Sequence, residues 1–352
     1  MMKRITLISK FSTSELSGHA LLDDERYFDF LIGARANFRL YTSGYSVDRI
    51  LSKRPENHRY LSAIEDSSID VESGSRVIFI GFSEPDVIAF LARNLMRRPR
   101  LILVATNNFS SERVKRRRLI LKLFLRLVRP FLDRLVLHTA YERQLVEGLD
   151  PYVADKSFVK KHHLMTPYDL TNEAPGEAPI VSYFGPEKRD KPIEPFLELI
   201  KADTERRFIY RIYNVTPAAL KKRLPDLIDR TNVEVVEEWQ SHASYLKSVK
   251  GSNLLFLTHN RAFEGKLSGN LCDCFALRIP YIARVMEPMT TYEAKYGPLG
   301  YLVDLEDASW AGRFLERYND EAYVTMRRNL ERLGEEHSTD AINSDLTACL
   351  IN

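Results

Sequence analysis

The residues best suited to chemistry lie late in the chain, in the run Phe263-Glu264-Gly265-Lys266-Leu267-Ser268-Gly269-Asn270-Leu271-Cys272-Asp273. Ser268, Gly269 and Asn270 stand where an apolar strand, Asn253 to Thr258, gives way to a helix that closes before Pro280. At such a helix start the backbone amides lack partners and the helix dipole is positive, which favours a phosphate. Asp273 lies about one turn farther in, where a carboxylate can accept hydrogen bonds from a ribose. His259 and Asn260 follow the same strand at its carboxyl end.

A second chemical feature is cationic. Between Glu112 and Arg134 nine Lys or Arg face only two acidic residues, so this segment carries +7 and leaves −4 for the rest of a chain whose net charge is +3. Lys115, Arg118, Lys122, Arg126 and Arg129 recur every three or four residues and form one helical stripe, beside a broad apolar surface that begins at Leu119. Pro130 should end or kink the helix. Basic side chains over an apolar face suit the surface of an anionic membrane. A core-packed helix with a solvated basic face and a nucleic-acid backbone contact are the other readings, the last disfavoured by the wealth of Leu, Ile and Val.

The elements that must position these residues follow from the rest of the sequence. Its 352 residues suggest two domains, and 44% apolar with 28% charged residues excludes disorder and fibrous repeats. Short β-branched runs alternate with amphipathic stretches, the pattern of βα units around parallel sheets. Strands are expected near Arg4–Ile8, Asn37–Tyr41, Arg76–Ile80, Arg100–Val104, Arg134–Leu137 and Ser157–Lys161. After a Pro- and Gly-bearing stretch they restart near Ile180–Phe184, Arg207–Tyr213, Val233–Glu237, Asn253–Thr258 and Pro280–Ala283. The division read from this is a domain over 1–165, a linker over 166–179, a second domain over 180–330 and a tail over 331–352, with Trp310 to Leu333 helical. In open parallel sheets ligands bind outside the carboxyl ends of the strands, so two doubly wound Rossmann-like domains facing a cleft are expected.

Of three cysteines, Cys272 and Cys274 are too close in sequence for an ordinary disulfide, which points to a reducing cytoplasm. The apolar run Ile5 to Ile8 is shorter than a secretory signal core. No uncharged apolar run approaches the roughly 18 to 20 residues of a membrane span. A soluble or membrane-peripheral protein is expected.

From Ile180 to Asp304 the sequence resembles the GT-B glycosyltransferases, in particular the large group with two acidic residues eight positions apart. In that group a Glu-Gly-Phe-Gly turn leads to the second acidic residue and then to a Gly-x-Pro-Val-Ile strand. Here Asp273 stands seven residues before Pro280, and Glu264 nine residues before Asp273. The strand Ile180–Phe184 ends in Gly185-Pro186-Glu187-Lys188-Arg189-Asp190-Lys191, where the group carries Gly-Arg and a Lys six positions after the Gly; Lys191 occupies that position and Pro186 replaces the Arg. Tyr292-Glu293 precedes Gly297-Pro298-Leu299-Gly300-Tyr301-Leu302-Val303, similar to the group's late Glu-x-x-x-x-Gly-x-x-Gly-x-Leu-Val stretch. The resemblance implies that Asp273 contacts the ribose and that Glu264, Ser268 and Gly269 lie near sugar and diphosphate. It also implies that Lys191, with Lys188 or Arg189, neutralises a departing nucleoside diphosphate. His259, Asn270 and Glu293 complete the candidate donor residues.

For the acceptor side the same resemblance directs attention to loops after the early strands. His19 in Ser17-Gly18-His19-Ala20, and Glu84 and Asp86 in Ser83-Glu84-Pro85-Asp86, are candidate general bases. Each also has an ordinary reading, as a surface histidine or as acidic residues opening a helix. Asn107, where relatives often carry His or Asp, cannot act as a base and is a candidate for an acceptor hydroxyl. No Asp-x-Asp motif precedes a suitable strand, so no metal and no cofactor beyond the nucleoside diphosphate sugar is expected. The reading is a cytoplasmic, membrane-peripheral enzyme that moves a sugar onto a glycan or lipid-linked saccharide in cell-surface polysaccharide assembly. A DNA glucosyltransferase, a sugar-nucleotide epimerase and a noncatalytic GT-B-like binding protein are the alternatives.

Overall fold

The computed structural model describes residues 4–9, 19–64, 69, 71–106, 108–161, 178–185, 187–223, 230–237 and 242–351. The chain divides into two compact units, Met1–His162 with Thr339–Asn352, and His163–Ser338.

The first unit is built on seven parallel strands: β1 (Ile5–Ser9), β2 (Phe38–Thr42), β3 (Leu61–Ala63), β4 (Arg76–Ile80), β5 (Arg100–Val104), β6 (Leu132–Leu137) and β7 (Ser157–Val159). Their order is β3-β2-β1-β4-β5-β6-β7. β1 pairs with both β2 and β4, Leu7 lying opposite Leu40 and Ile78. Strands buried on both faces read as continuous apolar runs, which is why Leu101-Ile102-Leu103-Val104 and Val77-Ile78-Phe79-Ile80 are so plain in sequence. Helices Glu84–Asn94 and Ser111–Val128 bury Val87, Phe90, Leu121, Phe124 and Val128 on one side of the sheet. Helix His19–Gly33 contributes to a second core that holds Tyr27, Phe28 and Leu31.

The second unit has six parallel strands: β8 (Ile180–Phe184), β9 (Ile209–Tyr213), β10 (Val233–Val236), β11 (Leu254–Leu257), β12 (Tyr281–Arg284) and β13 (Gly300–Val303), in the order β10-β9-β8-β11-β12-β13. The order reverses between β8 and β11, which pair through Val181 with Leu254 and Ser182 with Leu255. Such a switch point is where an open sheet leaves room for a ligand. Helix Gly269–Leu277 buries Leu271 through Leu277 without interruption. β13 approaches β12 so closely that a Cβ on Gly300 would lie 2.4 Å from the carbonyl oxygen of Tyr281.

Helices Trp310–Arg317 and Asp320–Glu336 pack within the second unit through Trp310, Phe314, Tyr323 and Leu330. The chain then returns: helix Thr339–Leu346 and a π-helical turn, Thr347–Ile351, belong to the first unit. There Ile342, Leu346 and Leu350 join the core. Arg76 donates to the carbonyl oxygen of Leu350 at 2.9 Å, and Arg134 to that of Ala348.

Candidate functional site

The turn after β8 must begin with glycine. A Cβ on Gly185 would stand 2.9 Å from the Tyr213 carbonyl oxygen and 3.2 Å from that of Asn214, while its amide donates to Tyr213 O at 3.0 Å. Beyond it Lys188 and Lys191 close a tight turn, the amide of Lys191 donating to Lys188 O at 2.9 Å. Lys188 and Arg189 are exposed, whereas Lys191 is half-buried. The loop after β11 fastens this turn. The side-chain amide of Asn260 donates to Arg189 O at 2.7 Å and its backbone amide to Asp190 O at 3.1 Å.

The two loops thereby bring their polar groups to one place. The His259 ring packs on Phe263 with centroids 4.0 Å apart, and Lys191 Nζ and Lys266 Nζ lie 5.7 and 5.3 Å from the same Phe263 ring. Among the described residues Lys191 forms no ion pair, and burial, helped by Lys188, lowers its pKa against the opposing effect of Asp190. His259 is 2% exposed, and burial, with the charges of Lys191 and Lys266, draws its pKa well below the ordinary imidazole value. The ring is therefore neutral, with one donor and one acceptor nitrogen.

Among the described residues neither His259 nitrogen meets a hydrogen-bond partner, and neither does the Oγ of Ser268, which is 4% exposed at the N-cap of helix Gly269–Leu277. An N-cap serine ordinarily accepts an amide of its own helix. Buried polar atoms left unpaired cost about 1–3 kcal/mol each; the His259 ring lies against Phe263 beside Lys191 and Lys266, and Ser268 follows Lys266 by two residues. Gly269 and Asn270 form the first turn of that helix. Glu264, half-buried, precedes Gly265, whose φ of 79° turns the chain as its amide donates to Glu287 O.

Asp273 and Glu293 lie outside this cluster. Asp273 is 0% exposed and accepts a 2.5 Å hydrogen bond from Tyr245 OH, joining helix His242–Lys250 to helix Gly269–Leu277. In this arrangement its carboxylate is engaged in the packing of the two helices. Glu293 Oε1 accepts from Tyr281 OH at 3.1 Å and from the amides of Leu299 and Gly300 at 3.2 Å each, fixing the approach to β13. Burial raises its pKa.

In the first unit Glu84 is 2% exposed and ion-paired: Arg113 Nη2 stands 2.7 Å from both of its carboxylate oxygens and Arg117 Nη1 3.6 Å from one. The carboxylate is thus held between helices Glu84–Asn94 and Ser111–Val128. Asp86 Oδ2 accepts from Ser83 Oγ at 2.7 Å, and that oxygen accepts from the Asp86 amide, so the pair opens helix Glu84–Asn94. His19 is the first residue of its helix, but its side chain lies outside the described residues, as does Asn107. A buried pair absent from the sequence reading follows β6. Glu142 accepts from the amides of His138 and Thr139 at 2.8 and 3.3 Å. Burial lifts its carboxyl to about 7 and lowers the His138 imidazole to about 3.

The basic helix Ser111–Val128 turns Leu121, Phe124, Leu125 and Val128 inward. Its other face leaves Leu119 71% and Leu123 56% exposed, with Ile120 and Leu127 about as open. Lys115, Arg118, Arg126 and Arg129 are exposed around this apolar row, Lys122 is half-buried, and none of the five forms an ion pair among the described residues. The helix is interrupted at Arg117 (φ −122°, ψ 24°) and ends before Pro130. No helix among the described residues is long and apolar enough to cross a membrane, and no group of three His, Cys, Asp or Glu among them could hold a metal ion.

No family model and no curated protein matches the sequence. Solved structures match over the whole chain at low identity. Anabaena Alr3699/HepE, solved with UDP and glucose, is 11% identical, covers 100% of both chains and has a TM-score of 0.69. The lipopolysaccharide outer core galactosyltransferase WaaB is 11% identical over 99% of each chain, with a TM-score of 0.63. A Listeria monocytogenes protein described as a UDP-N-acetylglucosamine 2-epimerase is 13% identical over 96% of this chain and 97% of its own, with a TM-score of 0.59. The two sheets, each flanked by helices, have the GT-B fold.

Proposed function

We propose that the chain is a GT-B glycosyltransferase whose second unit receives the diphosphate of a nucleotide sugar. The observation that carries this reading is the Ser268 hydroxyl at a helix N-terminus, without a partner among the described residues and in the same loop as Lys266, which shares the Phe263 ring with Lys191 and neutral His259. When the bond between the anomeric carbon and the β-phosphate oxygen breaks, negative charge grows on the diphosphate. In this reading Lys191, Lys266 and the amides that open the helix at Gly269 and Asn270 stabilise it. His259 donates one N–H to a phosphate or sugar oxygen and stays neutral while doing so. Lys188 and Arg189 add exposed charge at the entrance, and Glu264 bonds a sugar hydroxyl.

The acceptor belongs to the first unit. His19, Asp86 or Glu84, the last held by Arg113, is the base that takes the acceptor proton, and Asn107 binds a neighbouring hydroxyl. The apolar row Leu119, Ile120, Leu123 and Leu127, flanked by Lys115, Arg118, Lys122, Arg126 and Arg129, supports placement on an anionic membrane at its cytoplasmic face. A glycan or lipid-linked saccharide of cell-surface polysaccharide is the acceptor class that such a location favours. Slow release of nucleoside diphosphate from one of a set of UDP, GDP and TDP sugars, lost in Lys191→Ala, tests the reading.

Epimerisation of a nucleotide sugar is the second reading, supported by the likeness in fold to the Listeria protein. Incubation with UDP-N-acetylglucosamine separates the two: the epimerase yields an isomeric hexosamine, while the transferase leaves the sugar's configuration at C2 intact.

A further inference from the structure

The sheet of the first unit has an amino edge as well as a carboxyl edge, and a cavity of about 550 Å³ opens there, lined by Arg4, Arg35, Arg59, Asn37, Tyr60 and Glu72. Its arginines come from three places in the sequence: the residue before β1, the end of helix His19–Gly33 and the turn before β3. None of the three guanidinium groups forms an ion pair among the described residues, although Glu72 shares the cavity. Three like charges on one small concavity repel one another, and that repulsion is relieved when an anion enters.

Two local features sharpen the case. Arg35 closes helix His19–Gly33 with φ 52°, its amide donating to Ile32 O and that of Ala36 to Leu31 O. This left-handed position normally falls to glycine or asparagine; arginine takes it here, as it does at Arg98, Arg206 and Arg278, and at Arg35 the residue lines the cavity. Tyr60 stacks on Phe38 (5.0 Å, 12°), and Arg59 lies over the Tyr60 ring at 4.8 Å while donating to its hydroxyl. One arginine is thus held in place by an aromatic base.

We propose that this cavity binds a phosphorylated small molecule through Arg4, Arg35 and Arg59. Guanidinium forks match phosphate oxygens in pairs, and the volume is that of a small-ligand pocket. The lining offers no free nucleophile or imidazole, and chemistry in open sheets of this kind sits at the opposite, carboxyl edge, so the cavity holds its ligand without transforming it. This site is independent of the transferase reading.

The test is calorimetric titration of the full chain with inorganic pyrophosphate, carried out in a Lys191→Ala/Ser268→Ala background so that the second unit does not contribute. One pyrophosphate per chain should bind, and adding Arg35→Gly with Arg59→Ser should weaken it at least tenfold. Arg35→Gly alone should leave Tm unchanged or raised, since glycine suits φ 52°, which separates lost binding from lost fold. No pyrophosphate binding in the background variant, or a loss smaller than tenfold on adding both arginine changes, would overturn the proposal.

Discussion

The side chain of Asn260 donates to the carbonyl oxygen of Arg189 at 2.7 Å, and this bond joins the loop after β11 to the loop after β8 at the point where strand order reverses. Lys191 reaches the Phe263 ring because the turn that carries it is held there. Asn260→Ala removes that bond and the one accepted from the Ala262 amide. At about 1 kcal/mol for each lost bond the fold should lose roughly 1–2 kcal/mol and a few degrees of Tm, and nucleoside diphosphate affinity should fall as the turn that carries Lys191 loosens. Calorimetry beside a thermal melt checks both.

His259 tests the electrostatics. Because its pKa lies well below the ordinary value, the imidazole stays neutral on binding, and diphosphate affinity should show no step attributable to a histidine between pH 6 and 8. His259→Phe removes two unpaired buried nitrogens and should leave stability equal or higher while weakening the diphosphate about tenfold. A clear protonation step near pH 6.5 that vanishes in His259→Phe contradicts a neutral ring.

The Glu142 carboxyl gives a pH dependence of stability. Its folded pKa, about 7, is raised above an unfolded value near 4.5, so the folded state binds the proton more tightly. Its favourable contribution is complete below about pH 4.5 and is lost as pH rises to 7. Glu142→Gln should therefore gain stability relative to the parent as pH climbs through that window, read by denaturant titration at pH 5 and pH 8. An equal difference at both pH values would count against the burial effect.

The exposed row on the basic helix predicts membrane binding. Leu119→Glu with Leu123→Glu should cut sedimentation with vesicles containing anionic lipid by tenfold or more and change stability by less than about 0.5 kcal/mol, since both side chains are already open to solvent. If duplex DNA rather than vesicles retained the protein, with a steep salt dependence, the nucleic-acid reading would replace it.

Much of the framework was legible because buried parallel strands are apolar without alternation, as in Val77-Ile78-Phe79-Ile80, Leu101-Ile102-Leu103-Val104 and Leu254-Leu255-Phe256-Leu257. β3 escaped because Leu61-Ser62-Ala63 is short and half polar. The Gly185 turn and the Ser268 helix start were readable from glycine and small residues at strand ends. Lys266 was not singled out, though it sits two residues before Ser268 in the same turn. The burial of Asp273 has a physical reason. Leu271, Cys272, Cys274, Phe275, Ala276 and Leu277 are apolar around the whole helix, the signature of an element buried on every side, and an aspartate among them must find a partner such as Tyr245. The Glu84–Arg113 pair spans 29 residues and leaves no local trace.

The central claim is that a leaving diphosphate is received between Lys191 and the helix headed by Ser268. Its most direct measurement is release of nucleoside diphosphate from the best UDP, GDP or TDP sugar by the parent, Lys191→Ala and Ser268→Ala, each with its melting curve. The account predicts a rate at least 100-fold lower in Lys191→Ala, and a clear loss in Ser268→Ala, with Tm held within a few degrees. Rates equal to the parent in both variants would contradict it.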